Sequence, residues 1–428
     1  MFIDIIAEKA YEIVWSPVLI IIVLGAGMWF AFRTKFYQAR KFGKVLKDVF
    51  KSKGGFGAMA TALGATVGTG NIVGVAAAIA LGGAGAVFWI WVGAFFGMML
   101  KFAEASLSVR YRDKDCGGAP KYIEKVFVGR RIAVFWSLCC VASSFGTGNM
   151  VQSGAAAVMA EKAFDIPALI IGIALAAITG SVLFFGAKGV TKTSTVLVTI
   201  MSVFYILGSF FLLFKFRNNL PAALASIFKS AFEPLAAGGG IIGFLTAESL
   251  KVGITRGTFT NEAGMGSASL AHSESEETEP SVQGSFGIIE VFLDTIVVCT
   301  LTALVILSSG ITAFTEESTT EAFSLGFGNF GEKFLGISMF LFALAAMIGW
   351  AFYAEKALGY ITKSKTAVLI YRAAFCVMAV VGSITELPTL WNISDTFNGL
   401  MIFPNVIAIL LLSKEVIEFT KDNKKGAS

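Results

Sequence analysis

Two stretches of this chain place Gly, Thr and Asn together inside otherwise apolar surroundings. The first is Gly64-Ala65-Thr66-Val67-Gly68-Thr69-Gly70-Asn71-Ile72-Val73-Gly74. Glycine at this density makes a poor helix interior and tolerates non-helical dihedrals, so a helix here is expected to unwind. Unwinding frees amides, which at a half-helix N-terminus suit a carboxylate. It also frees carbonyls, which together with Thr and Asn oxygens suit a hard cation such as sodium. The second stretch is Thr255-Arg256-Gly257-Thr258-Phe259-Thr260-Asn261-Glu262-Ala263-Gly264-Met265-Gly266-Ser267. Its Arg256 and Glu262 leave an interfacial or re-entrant segment open as the alternative to a broken span. A third apolar stretch carries Asp294 beside Thr295. An ionisable group in hydrocarbon costs at least ~2.5–3.5 kcal/mol, so this carboxylate must face the interior and find a partner. It reads either as a cation ligand or organiser of the second break, or as a structural carboxylate bonded to freed amides.

The elements that must position these groups follow from composition. Of 428 residues, 56% are hydrophobic and 15% charged, too little charge to cover a soluble surface. The apolar residues fall into segments of about 20, the length that spans a ~30 Å hydrocarbon core. Lipid satisfies no backbone hydrogen bonds, and the runs are continuous rather than alternating, so the spans are helices. The fold class is all-α integral membrane. Eleven spans are predicted, near 14–32, 56–80, 86–108, 132–160, 166–186, 194–214, 240–270, 286–310, 332–354, 366–385 and 393–413. The first reads as a retained helix, because Asp4 and Glu8 precede it and no small-residue cleavage site follows.

Arg33, Lys35, Arg40, Lys41, Lys44, Lys47, Lys51 and Lys53 follow span one and place that loop in the cytoplasm. Alternation puts the 110–131 loop, the Lys188/Lys192 and Lys363/Lys365 loops and the Lys414–Lys425 tail inside, with the acidic run Glu274–Glu279. The 81–85 turn and the 312–330 and 386–392 loops fall outside, giving an external N-terminus and a cytoplasmic C-terminus. The excess of basic residues thus follows membrane topology and does not point to nucleic acid. Five scattered cysteines make no metal spacing, and their odd number argues against a disulfide framework. One histidine, His272 in a polar loop, excludes imidazole clusters. No Gly-x-x-x-x-Gly-Lys loop or soluble domain serves an ATP-driven pump, and no catalytic pair serves an intramembrane enzyme. What remains is a secondary transporter in the cell membrane, working as a monomer with no cofactor beyond a coupling ion.

Setting span one aside leaves ten spans, and the two interrupted ones are first in successive groups of five. Five is odd, so the second group enters from the opposite side. That is an inverted repeat, and paired Gly-interrupted spans in equivalent places point to the binding site. The divisions expected are 1–54 for the extra helix and basic loop, 55–217 for the first repeat, and 218–428 for the second repeat and tail.

At Gly68-Thr69-Gly70-Asn71-Ile72-Val73-Gly74 and Thr260-Asn261-Glu262-Ala263-Gly264-Met265-Gly266-Ser267 the chain resembles the alanine or glycine:cation symporter family. The resemblance extends over nearly the whole chain, including Gly117-Gly118-Ala119-Pro120 and the Glu290–Thr295 stretch. It implies a leucine-transporter-like fold and sodium- or proton-coupled uptake of alanine and glycine by alternating access. It further implies that Gly68, Thr69 and Gly70 offer amides to the substrate carboxylate. Thr66 and Asn71 then offer oxygens to a sodium, and the Gly64 and Val67 carbonyls belong to a second sodium site facing span nine. Thr258, Asp294 and Thr295 complete the expected cation ligands, and Thr260 joins the substrate contacts. Span nine reads Ala345-Ala346-Met347-Ile348-Gly349-Trp350, without the hydroxyls that the wider fold places there.

A small amino acid needs walls that exclude larger side chains. Phe145, Thr147 and Gln152 in span four, with Ile348, Gly349 and Trp350 in span nine, are the candidates, Gln152 foremost because a buried amide needs partners. Lys101 and Glu104, near the end of span three, read as an interfacial pair.

Overall fold

The computed structural model describes residues 2–52, 54–113, 116–127, 129–236, 248–385 and 388–421, and among them every regular element is a helix. Residues 240–247 of the seventh expected span lie outside the described residues, as do Lys53, residues 386–387 and residues 422–428. In chain order the helices used below are α1 (Phe2–Val14), α2 (Pro17–Arg33), α3 (Phe42–Lys51), α4 (Phe56–Thr66), α5 (Val73–Gly82) and α6 (Gly85–Arg110). There follow α7 (Ala119–Val126), α8 (Arg131–Phe164), α9 (Ala168–Phe184), α10 (Gly186–Lys215), α11 (Leu220–Ala236) and α12 (Glu248–Asn261). The last are α13 (Pro280–Ser308), α14 (Ser318–Phe327), α15 (Gly331–Ile361), α16 (Lys365–Ser383) and α17 (Pro388–Leu411).

Eight described helices are long and apolar enough to cross a bilayer. The second expected span is two short helices, α4 and α5, separated at Val67–Ile72, within the stretch expected to unwind. The expected loops 110–131 and 312–330 are partly helical, containing α7 and α14, and α11 fills a stretch between the sixth and seventh expected spans. These three helices lack a long apolar run, so a search for spans passes over them.

The side-chain pattern is the inverse of a soluble protein's. On α10, Val196, Ile200, Val203, Leu207, Phe210 and Phe214 are exposed at helical spacing, while Ser194 and Ser209 are buried on the opposite side. Apolar side chains there face lipid, and the small hydroxyl side chains turn inward. α15 runs through the centre and is buried around most of its circumference. It approaches α4 with almost no side chain between them: a Cβ on Gly349 would stand 2.6 Å from Ala65 Cβ and 2.8 Å from its amide nitrogen. Small residues at such crossings let helices pack closely where no hydrophobic force drives them together.

At one end of the bundle the 273–279 loop is tied to the segment leading into α4. Ser52 Oγ donates to Glu277 Oε2 at 2.5 Å, and Arg112 donates to the carbonyls of Ser273, Ser275 and Glu277. Burial pushes the Glu277 carboxyl up, but the Ser52 hydroxyl, the amides of residues 278 and 279 and Arg112 hold it below its ordinary value. A lowered folded-state pKa adds stability above the unfolded value and loses it as pH falls through the folded one.

Two outcomes are expected. Gly349→Val forces backbone apart at the α4–α15 crossing, lowering stability by roughly 1–3 kcal/mol or more, read as a fall in Tm by detergent thermal-shift. Acidification loosens the 273–279 loop, read by limited proteolysis, and Ser52→Ala moves that loss to higher pH because one of the lowering contacts is gone.

Candidate functional site

The first break begins where α4 ends at Thr66. Val67 leaves the helix, Gly68 is extended, Thr69–Asn71 form one 3-10 turn, and α5 starts at Val73. The freed amides are met from inside the protein. Gly68 N donates to Asn71 Oδ1 at 2.9 Å, while Thr69 donates from both its amide and its hydroxyl to Gln152 Oε1, each at 3.0 Å. Gln152 therefore holds the Thr69 amide that the family resemblance implies for a substrate carboxylate. Thr66 Oγ1 donates to Leu63 O at 3.3 Å, and Thr319 from α14 donates to the freed Ile72 carbonyl at 3.0 Å. A Cβ on Gly70 or on Gly74 would meet nothing within 4 Å, so there is room beside this strand of backbone.

Gln152 is aimed by a distortion of its own helix. Gly146–Met150 form a π turn within α8, and such turns are frequent at functional sites because they widen the ladder. Gln152 Nε2 donates to Thr147 O across it at 3.0 Å. Thr147 is held in turn by α17, bonding to Ser394 through amide and hydroxyl and accepting from Asn398 Nδ2 at 2.8 Å. Trp350 stands behind: a Cβ on Gly148 would collide with it at 2.3 Å.

A second π stretch, Phe292–Cys299 in α13, carries Asp294 and Thr295. Asn71 Nδ2 reaches Asp294 Oδ1 at 2.9 Å and Asp294 O at 3.1 Å. Thr295 Oγ1 donates to Asp294 Oδ2 at 2.7 Å and accepts from Asn261 Nδ2 at 3.2 Å. Asn71 belongs to the first break and Asn261 to the end of α12, so one fully buried carboxylate joins the two.

The second break follows Asn261. Glu262 takes a left-handed φ of 54°, Gly264 and Gly266 have φ of 94° and 82°, and a short turn begins at Ser269. The loop amides are again met internally. Asn261 Oδ1 accepts from Ala263 N at 3.0 Å, and Glu104 Oε1 from α6 accepts from Gly264 N at 2.9 Å and Gly266 N at 3.0 Å.

Comparisons with known proteins now decide the family. The model of the sodium:alanine symporter family matches residues 1–427. The chain belongs to that family. Its members are secondary transporters, not enzymes, and this chain is a multi-pass membrane transporter among them. It is 38% identical to the sodium/alanine symporter AgcS of Methanococcus maripaludis, over 95% of this chain and 94% of the relative. It is 37% identical to the probable sodium/glutamine symporter GlnT of Bacillus subtilis, over 97% and 91%. Among solved structures, MhsT in complex with L-phenylalanine superposes with a TM-score of 0.56 at 16% identity, covering 86% of this chain and 98% of that one. That likeness gives the fold, which is leucine-transporter-like.

Within this family member the remaining expected site residues are placed as follows. Gly64 packs beside Val198 and the Ala345 carbonyl of α15, and Val67 is buried. Thr258 offers its carbonyl to Glu262 N at 2.9 Å, and Thr260 turns its hydroxyl back to Arg256 O at 2.7 Å. Ile348 is buried near Gly349 and Trp350 on α15. Phe145 packs its ring on Tyr371 and Phe375 of α16.

Two expectations are corrected. Lys101 and Glu104 are not an interfacial pair: both are fully buried, and Lys101 Nζ lies 3.1 Å from Glu290 Oε1. His272, expected in a polar loop, instead ends the short Ser269–His272 helix. It is fully buried, with Nε2 2.9 Å from Glu290 Oε2 and Nδ1 2.6 Å from Gln283 Nε2. The charges that one element leaves uncompensated are met by another, which spacing along a single helix does not reveal. Ser394, Asn398 and Asn405 on α17 had only one signal in the sequence, polar side chains within an apolar run.

Asn71→Ala removes the Gly68 cap and both bonds to Asp294 together. With each buried partner worth about 1–3 kcal/mol, the variant is expected to remain helical by circular dichroism but to unfold at lower temperature than wild type.

Proposed function

We propose that this chain carries a small neutral amino acid, alanine or glycine, into the cell with sodium by alternating access. The observation that supports it most is the placement of Asp294. This carboxylate lies between the two breaks, hydrogen-bonded by Asn71 and Thr295 but in no ion pair among the described residues. A buried negative charge needs a counter-charge, and a cation beside an amino-acid site supplies one.

In this reading Thr66, Asn71, Asp294 and Thr295 furnish oxygens to the sodium, with the Thr258 carbonyl at the edge of the set. The substrate carboxylate takes amides of Gly68, Thr69 and Gly70, displacing Gln152 Oε1 from Thr69. Gln152 then turns its Nε2 to the substrate, and Thr147 and Thr260 flank it. Ile348, Gly349 and Trp350 limit side-chain size, Trp350 being locked against Gly148 and Tyr353. A second sodium at the Gly64 and Val67 carbonyls has the Ala345 carbonyl opposite and no hydroxyl from α15.

The architecture that goes with it is one extra N-terminal helix (1–54) and two inverted five-helix repeats (55–217 and 218–428), eleven spans in all. The N-terminus is outside, the C-terminus is cytoplasmic and the working unit is a monomer. A second reading has support from the relative named as a probable sodium/glutamine symporter: a longer neutral side chain projecting into the room beside Gly70 and Gly74.

Uptake of radiolabelled alanine, glycine and glutamine by proteoliposomes under separately imposed sodium and proton gradients tests the reading. Alanine accumulation driven by sodium is expected, and it is lost in Asp294→Asn. Accumulation driven by a proton gradient alone makes the proton the coupling ion, and accumulation indifferent to both gradients refutes coupling. Glutamine outcompeting alanine selects the second substrate.

A further inference from the structure

Glu104 sits outside the proposed ligand sets, yet it makes the densest set of contacts at the second break. It is fully buried on α6, and its Oε1 accepts three N–H groups: Gly264 N at 2.9 Å, Gly266 N at 3.0 Å and Asn405 Nδ2 at 2.7 Å. Asn405 also donates to Gly264 O at 2.8 Å, and its Oδ1 accepts from Tyr122 OH of α7 at 2.6 Å. The loop therefore has both its amides and a carbonyl pinned by two side chains from different helices, α6 and α17. Gly264 and Gly266 are the left-handed positions that turn those amides to one side. A Cβ on Gly266 would stand 2.6 Å from Asn405 Oδ1. Lys101, one turn back on α6, is committed to Glu290, so it does not draw Glu104 away.

We infer that Glu104 is a positioning residue: a resident carboxylate that takes the place of a bound anion at the second break and fixes the geometry from which Asn261 meets Thr295. One oxygen meets the converging amides of an unwound segment, as an anion does at a helix terminus. Two consequences follow. The Gly264 and Gly266 amides are closed to the substrate carboxylate, which has only the first break to bind. The position of Asn261, and through Thr295 that of Asp294, depends on a side chain three links away from the ion. Because Asn405 and Tyr122 belong to the same chain of bonds, α7 is mechanically joined to the break.

The role needs an acceptor oxygen at this point, so Gln serves where Ala and Leu do not. The inference rests on the proposed function for its transport readout alone, and its first readout needs no substrate. Hydrogen–deuterium exchange of the full-length protein in detergent, read on peptides covering 262–268, is expected to be roughly tenfold faster or more in Glu104→Ala than in wild type, the factor that loss of about 1.4 kcal/mol gives. Glu104→Gln keeps near wild-type protection, and Asn405→Ala loosens the same peptide to a smaller extent. In proteoliposomes Glu104→Ala raises the sodium and alanine concentrations for half-maximal uptake by a comparable factor, and Glu104→Gln restores them. Unchanged exchange in both Glu104→Ala and Asn405→Ala overturns the inference. So does Glu104→Gln exchanging as fast as Glu104→Ala, since that makes the charge and not the acceptor the requirement. If Glu104→Ala does not fold, Asn405→Ala against wild type decides. Absence of alanine uptake by the wild type, with the exchange result intact, counts against the substrate and leaves the positioning role standing.

Discussion

A backbone group freed in the middle of a bilayer has no water to turn to, and this constraint organises the protein. Two helices are broken, at Val67–Ile72 and after Asn261. Each break frees amides and carbonyls at a depth where leaving one unmet costs several kcal/mol. Several buried polar side chains answer those groups or orient another that does. Asn71 and Gln152 answer the first break, and Glu104 and Asn261 answer the second. The long helices α6, α8, α13 and α15 supply the scaffold, and two of them distort into π turns where they present their polar residues.

The two breaks are closed by different chemistry. At the first, the partners are neutral amides whose bonds are exchangeable at modest net cost, about 0.5–1.5 kcal/mol each. At the second, one oxygen of Glu104 takes three N–H groups at once, two of them from the loop and one from Asn405, so no single bond can be exchanged without disturbing the others. A pliable break and a firm break suit a carrier that must bind at one place and keep its frame at another. Asp294 stands between them and touches both through Asn71 and Thr295, so a change in its charge state or ligation reaches both sides.

Much of this was legible from the sequence, and the limits have physical causes. Apolar runs gave the long helices, and Gly-Thr-Asn crowding located the first break to within a residue or two. Asp294 stood out because charge at membrane depth demands a partner. Short amphipathic helices such as α7 and α14 were passed over because they need not span anything. Phe145 was assigned to a wall because its position in span four is near Gln152, but the π turn between them rotates it toward α16. Lys101, Glu104 and His272 were misplaced for one reason. A charged residue near the end of an apolar run is normally solvated, and only the third dimension reveals Glu290 and the glycine amides waiting for them.

The pairing of Gln152 with Thr69 has a consequence for turnover. A symporter must traverse its cycle in both directions, loaded on one leg and bare on the other. A site built solely for its cargo leaves stripped amides exposed on the homeward leg, and that penalty raises the barrier to resetting. If cargo displaces Gln152 as proposed, a carboxamide that accepts from Thr69 whenever the cargo has gone keeps the two legs closer in energy. On the same proposal that side chain sets a threshold on entry, because a visitor must replace an internal bond before it is carried. In the proposed reading, then, one glutamine smooths the bare leg and screens the loaded one.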